Sequence, residues 1–231
     1  MIGAIKHLLL FGLLFLGCSG EVLKTGEQKS SLVSAPASTV SGLERVSRQS
    51  SVKIYVLNDS SVGHGSGTYF VYRDQHFVLT AYHVTEGGQN IIGELGDFIL
   101  PLTPFVHNEL SDIAILTVSP YPNAKPFKLR LASQNNIKIG QRVLYTGYPN
   151  LTGPLTIYGT VAGFSVDNSI ILQSYAWGGA SGSAVLDYKG RLIGVVNGIE
   201  VVMSMTGLPS ENENVILIKR FEEDLLRHVD F

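Results

Sequence analysis

The sequence predicts an all-β protein, and three observations carry the prediction. Beyond residue 50 the chain is a succession of short runs rich in Val, Ile, Tyr, Phe and Thr, the residues that suit a pleated, half-buried surface. Gly, Pro, Asn and Asp interrupt these runs at intervals of about ten residues, the rhythm of a sandwich or a barrel. No stretch of about 20 to 50 residues repeats, which removes solenoids and propellers.

In chain order, the first twenty residues, MIGAIKHLLLFGLLFLGCSG, are not expected to join the fold. A short basic start (Lys6, His7) precedes an apolar stretch from Leu8 to Leu16 that is too short to span a bilayer but suits the hydrophobic part of an export signal. The following FLGC resembles a bacterial lipobox, although Phe15 and Leu16 stand where leucine and a smaller residue are usual. That resemblance implies cleavage before Cys18, so that residues 1–17 are a signal peptide and Cys18 is lipidated and anchors the chain to a membrane. The alternative is a plain signal peptide cut after Gly20. In either case the mature protein is exported, and the chain's single cysteine allows no internal disulfide. Residues 18–46 are rich in serine, carry no aromatic side chain and show neither strand nor helix period, so they read as a flexible tether.

The expected strands follow: VKIYVL (52–57), GTYFVY (67–72), HFVLT (76–80), IAILTV (113–118), RVLYTG (142–147), TIYGTVAGF (156–164), SIILQ (169–173), SAVLD (183–187), RLIGVVNG (191–198), VVMSM (201–205) and NVILI (214–218). The last segment, KRFEEDLLRHV (219–229), differs in period. Phe221, Leu225, Leu226 and Val229 recur at helical spacing, with acids early and Arg227 and His228 late, which predicts one closing amphipathic α-helix.

The 231 residues suit one domain of about 180 to 200 residues with an appendage, or two small subdomains sharing a core. A hydrophobic content of 45% against 16% charged residues allows a large core. The formal net charge is −2 and no basic stripe runs along any segment, so nucleic acid is not an expected partner. No His-rich or Cys/His spacing suggests a metal site, and no cofactor is expected.

Three short stretches carry reactive side chains. VLTAYHV places His83 after a strand, LSDIAIL places Asp112 before one, and GGASGSA surrounds Ser181 with small residues. Each alone has an ordinary reading, as a surface histidine, a strand-start acid and a glycine-rich turn. Together they supply what an alcohol needs to become a nucleophile. The imidazole takes its proton, the carboxylate fixes the imidazole tautomer, and glycine-rich backbone turns N–H donors toward a developing oxyanion. Ser183 is a rival nucleophile but lacks the preceding Gly-x pair. His64 and His107 are expected in loops and His76 beside a turn.

The order His–Asp–Ser, with TAYH (80–83), DIAIL (112–116) and GASGSA (179–184), resembles the trypsin-like serine peptidases. The likeness runs over residues 48 to 230 and is nearest to the cysteine-free bacterial HtrA/Deg protease domains; the residues that follow are too few for the PDZ domain those proteins usually carry. The resemblance implies two packed six-stranded antiparallel β-barrels, the first over about 47–125 and the second over about 126–218. It implies a serine endopeptidase acting on proteins or peptides through an acyl-enzyme, with His83, Asp112 and Ser181 catalytic and the N–H groups of Gly179 and Ser181 forming the oxyanion hole. By register from Ser181, Tyr175 and Ala176 line the substrate pocket on one side, with Asn197, Gly198 and Ile199 on the other, suiting a small or medium apolar side chain. Ala180 stands where trypsin has an aspartate that pairs with a newly cut N-terminus, so another device must hold this loop. Two further readings stay open: a catalytically silent protease fold that binds peptides or partner proteins, and an esterase using the same three residues.

Overall fold

The computed structural model describes residues 42–203, 209–221 and 223–229; the expected signal peptide, Cys18 and most of the expected tether lie outside them. Two closed six-stranded antiparallel barrels make up the domain. The first is built from β1 (Ser51–Leu57), β2 (Val62–Tyr72), β3 (Gln75–Ala81), β4 (Asn90–Leu95), β5 (Phe98–Asn108) and β6 (Ile113–Thr117), in the order β1-β4-β5-β6-β3-β2 with β2 returning to β1. A two-residue strand, β7 (Phe127–Lys128), adds to β2 in parallel. The second barrel contains β8 (Arg142–Gly147), β9 (Leu155–Phe164), β10 (Ile170–Gln173), β11 (Ala184–Asp187), β12 (Leu192–Met203) and β13 (Pro209–Arg220), in the closed order β10-β13-β12-β11-β8-β9.

Four strands are buried on both faces, and the period of two in a strand explains how. In β3, Val78 points into the first barrel while Phe77, Leu79 and Ala81 point out of it. In β6, Leu116 goes inward and Ile113 and Ile115 outward. The second barrel repeats the pattern with Val143 and Tyr145 inside and Leu144 outside on β8, and with Val185 inside and Ala184 and Leu186 outside on β11. The outward sets meet in a third core between the barrels, joined by Phe221, Leu225 and Leu226. Each large apolar side chain fully buried there contributes about 1.5–3 kcal/mol, so the interface is as much a core as either barrel interior. His83, Asp112 and Ser181 sit at or just beyond the ends of β3, β6 and β11, which all line that interface.

Several elements differ from expectation, among them the segments expected as separate strands at 191–198 and 201–205, which run as the one strand β12 as far as Met203, with residues 204 and 205 outside the described residues. The hairpin of β4 and β5 falls where no strand is expected; Pro104 is accommodated because the register of β5 shifts between Pro104 and Val106, a bulge where no ladder N–H is needed. Residues 42–46, assigned above to the tether, begin helix α1 (Gly42–Ser50). Its buried face is polar: Ser47 donates to the Thr146 hydroxyl at 2.8 Å, and Ser50 is fully buried. The closing segment is shorter and tighter than the α-helix expected over 219–229. Strand β13 continues to Arg220, with Lys219 paired to Val195 and Arg220 to Gly194, and the helical residues 223–229 form a 3₁₀ helix. Its Leu225 and Leu226 still reach the inter-barrel core. Among the described residues no helix is long and apolar enough to cross a membrane.

Candidate active site

Strands β3 and β6 pair antiparallel with Ala81 opposite Ile113, so the chain leaves β3 where it enters β6. That register brings His83, in the one-turn helix α2 (Tyr82–Thr85), against Asp112. The Asp112 backbone has φ +46°, in the left-handed region that aspartate tolerates better than most residues. Its carbonyl accepts the Tyr82 N–H at 3.1 Å. The carboxylate then reaches His83 twice: Oδ1 accepts the His83 backbone N–H at 2.8 Å, and Oδ2 lies 2.6 Å from Nδ1. Burial opposes the Asp112 charge, but hydrogen bonds from the His83 ring and backbone and from the Asn197 amide outweigh it and hold the carboxyl below its ordinary value. An ionised carboxylate only accepts, so Nδ1 carries the ring proton and Nε2 is left basic.

The serine belongs to the second barrel. Gly179 has φ +93° and Gly182 φ +90°, conformations that side chains rarely adopt. Space excludes side chains as well: a Cβ on Gly182 would stand 2.0 Å from the Ser66 carbonyl oxygen, and one on Gly179 2.5 Å from His64 Nε2. Three residues hold the carbonyls of this loop. The Gly178 oxygen accepts the Asn150 N–H at 2.7 Å, the Gly179 oxygen accepts the Ser66 hydroxyl at 2.7 Å, and the Ala180 oxygen accepts both the N–H and the hydroxyl of Ser183. A trans peptide points its N–H opposite its C=O. Fixing the Gly178 and Ala180 carbonyls therefore fixes the N–H groups of Gly179 and Ser181, and neither donates to an acceptor among the described residues. These bonds hold the loop with no charged residue at position 180; Ala180 is itself buried in the second-barrel core.

Asn197, on β12, joins the two halves. Its side-chain amide donates to Asp112 Oδ2, and its carbonyl oxygen accepts the Ser181 hydroxyl at 3.1 Å. The hydroxyl is thus turned toward Asn197 rather than bonded to His83. The serine backbone is anchored on the histidine side as well: the Ser181 carbonyl accepts the Ser66 N–H at 2.8 Å and lies against Gly65, beside the Val84 side chain.

Ser183 is fully buried with its hydroxyl committed to Ala180, so it is structural. His64 lies on β2 and His107 on β5, not in loops. Ala176 is buried in the second-barrel core, and Ile199 packs against the same cluster. Tyr175 parts company with them: it lines a hollow of about 830 Å³ with Tyr158, Ser174 and Asn214 that includes none of Ala176, Asn197, Gly198 and Ile199. Sequence reasoning missed Ser66 and Asn150, which steady the serine loop, and the side-chain role of Asn197, which it placed on a pocket wall. No local pattern marks them: the contacts of the Ser66 hydroxyl and of the Asn197 side chain cross between the barrels, and Asn150 meets Gly178 from a different loop of the second barrel.

Paired six-stranded antiparallel barrels with a His–Asp pair on one and a glycine-turned serine on the other define the trypsin-like class of folds. The chain belongs to the family described as the trypsin-like peptidase domain, whose model matches residues 65–195. Among solved structures it is similar to the Rv3671c protease of M. tuberculosis in its active form (TM-score 0.65, 22% identity, covering 82% of this chain and 84% of that one). It is also similar to a serine endoprotease from Yersinia pestis (TM-score 0.62, 20% identity, 78% and 62% covered). The HtrA-type protease AlgW with a tripeptide is a further neighbour (TM-score 0.65, 20% identity, 79% and 60% covered), so the chain spans about three fifths of the length of these last two. No curated protein matches the sequence.

Proposed function

We propose that the chain is a serine endopeptidase that cleaves peptide bonds through an acyl-enzyme on Ser181. The observation that carries this reading is the meeting at Asn197 of the Asp112 carboxylate, itself bonded to His83, and the Ser181 hydroxyl. In the reaction Oγ turns from the Asn197 oxygen to His83 Nε2, gives up its proton there and bonds to the scissile carbonyl carbon. The carbonyl's π pair moves onto oxygen, which the N–H groups of Gly179 and Ser181 receive. A protonated Nε2 then donates to the leaving nitrogen as the C–N bond breaks, and water repeats the sequence to free the acyl group. A preference for a small or medium apolar residue at the cleavage site rests on the sequence alone, since Ala176 is buried in the second-barrel core and Ile199 packs against it. Export, with residues 1–17 removed and Cys18 acylated, rests on the sequence alone and is tested by the mass of the mature N-terminal peptide.

One observation favours a second reading, a silent fold that binds peptides or partner proteins: the Ser181 hydroxyl is bonded to Asn197 and not to His83. Hydrolysis of unfolded casein and of a peptide ester by wild type, Ser181→Ala and His83→Ala separates the readings. The peptidase reading expects casein cleavage that falls at least about 1000-fold in both variants. A folded wild type that cleaves neither substrate supports the binding module, and one that cleaves only the ester supports an esterase.

A further inference from the structure

The chain's formal net charge is −2, yet folding gathers cations that are scattered in sequence onto one face. Three hollows adjoin there. One lies between α1 and the segment 124–130, one beside the turn 138–141, and the third is the 830 Å³ hollow described above; Tyr188, at the tip of the β11–β12 hairpin, lines all three. Lys125, Lys128, Arg130, Lys138, Arg142 and Lys189 rim them, all exposed and none forming an ion pair with another described residue. No Asp or Glu lines any of the three. The nearest carboxylates in sequence are already engaged: Asp187 is buried against Arg191 at 2.6 Å, and Glu44 on α1 has its own partner.

Large apolar side chains stand among these cations instead of being covered. Val46 is 42% exposed, Tyr158 57%, Tyr188 66% and Ile139 68%. Lys189 Nζ lies 5.6 Å from the centre of the Tyr188 ring. The 41 residues that precede the described domain enter it at Gly42, which lines the second hollow, so this face is where the N-terminal segment joins the domain.

We propose that this face docks on an anionic phospholipid bilayer. Lysine and arginine meet the headgroup phosphates, while tyrosine rings and the aliphatic side chains enter the boundary between headgroups and acyl chains. A nucleic acid backbone would satisfy the cations but leave Ile139, Val46 and Tyr188 without an apolar partner. The inference goes beyond peptide hydrolysis and does not depend on acylation, since none of His83, Asp112, Ser181 and Asn197 lines these hollows.

The test is co-sedimentation of the full chain carrying Cys18→Ser with vesicles of phosphatidylcholine alone or containing about one third phosphatidylglycerol. The N-terminal apolar stretch is common to every sample, so differences report the face. At low salt we expect at least tenfold stronger binding to the anionic vesicles, largely lost at about 0.5 M salt. Lys125→Glu/Lys128→Glu/Lys189→Glu should abolish the preference while casein cleavage and circular dichroism stay unchanged. Arg227→Glu, outside the face, should retain it. Tyr188→Ser/Lys189→Gln serves if the triple variant fails to fold, and should weaken anionic binding severalfold. Equal binding to both vesicle types, a preference unchanged in the charge-reversed variant, or binding to duplex DNA with none to vesicles would overturn the proposal.

Discussion

The Ser181 hydroxyl donates to the main-chain oxygen of Asn197 at 3.1 Å, and the side-chain amide of Asn197 donates to Asp112. One residue of the second barrel therefore holds the carboxylate of the first and the resting position of the serine. The carbonyl must release the hydroxyl for reaction, whereas the amide has no reason to leave.

Asn197→Ala should lower kcat by about 10- to 100-fold with KM changed little, the loss expected for a hydrogen bond to a charged group. Asn197→Asp should be worse, because a second carboxylate beside Asp112 disfavours ionisation of both. The check is a pair of kcat and pH profiles, the latter showing the acid limb moved upward in the aspartate variant.

Ser66→Ala removes the hydroxyl that donates to the Gly179 carbonyl and accepts the Tyr148 N–H at 2.8 Å. Leaving those buried groups unpaired should cost about 1–3 kcal/mol of stability. With the Gly179 carbonyl released, peptidase activity should fall further than the stability loss explains. Urea unfolding and activity measured on the same preparation separate the two effects.

Gly182→Ala should destabilise the fold by about 2–5 kcal/mol, combining a strained positive φ with a Cβ forced onto backbone and the Thr80 hydroxyl, 2.2 Å away. Gly178→Ala, where a Cβ meets nothing within 4 Å, should be tolerated. Thermal unfolding of the two variants gives the comparison.

Tyrosines set an alkaline limit. Burial, reinforced by the Glu94 charge, pushes the Tyr148 hydroxyl up to about 12, and burial likewise raises Tyr121 and Tyr145. The folded chain keeps protons that the unfolded chain releases near pH 10, so this contribution is full below about pH 10 and is lost as pH rises toward 12. Urea midpoints should fall steeply between about pH 10 and 11.5, and less steeply in Tyr148→Phe.

Strands β3, β6, β8 and β11 were legible because burial on both faces makes them continuous apolar runs. Strands β4 and β5 were not, since Gly93, Gly96, Pro101 and Pro104 break the pattern and a bulge absorbs the irregularity. Helix α1 hides because serines form its buried face. At the C-terminus the spacing of Phe221, Leu225 and Leu226 marks a buried helical turn, but pairing with Gly194 and Val195 keeps the chain extended through Arg220. In the site, the reactive residue types and their order are local and readable. The hydrogen bonds from Ser66 to Gly179 and from Asn197 to Asp112 link residues 113 and 85 apart and exist only once the barrels pack.

Reaction with a fluorophosphonate probe tests the central claim most directly, because it requires a serine made nucleophilic beside working oxyanion donors. Wild type should be labelled at Ser181 alone, with labelling lost in Ser181→Ala and slowed at least about 100-fold in His83→Ala. Absence of labelling in folded wild type, or equal labelling of the Ser181→Ala variant, would contradict the account.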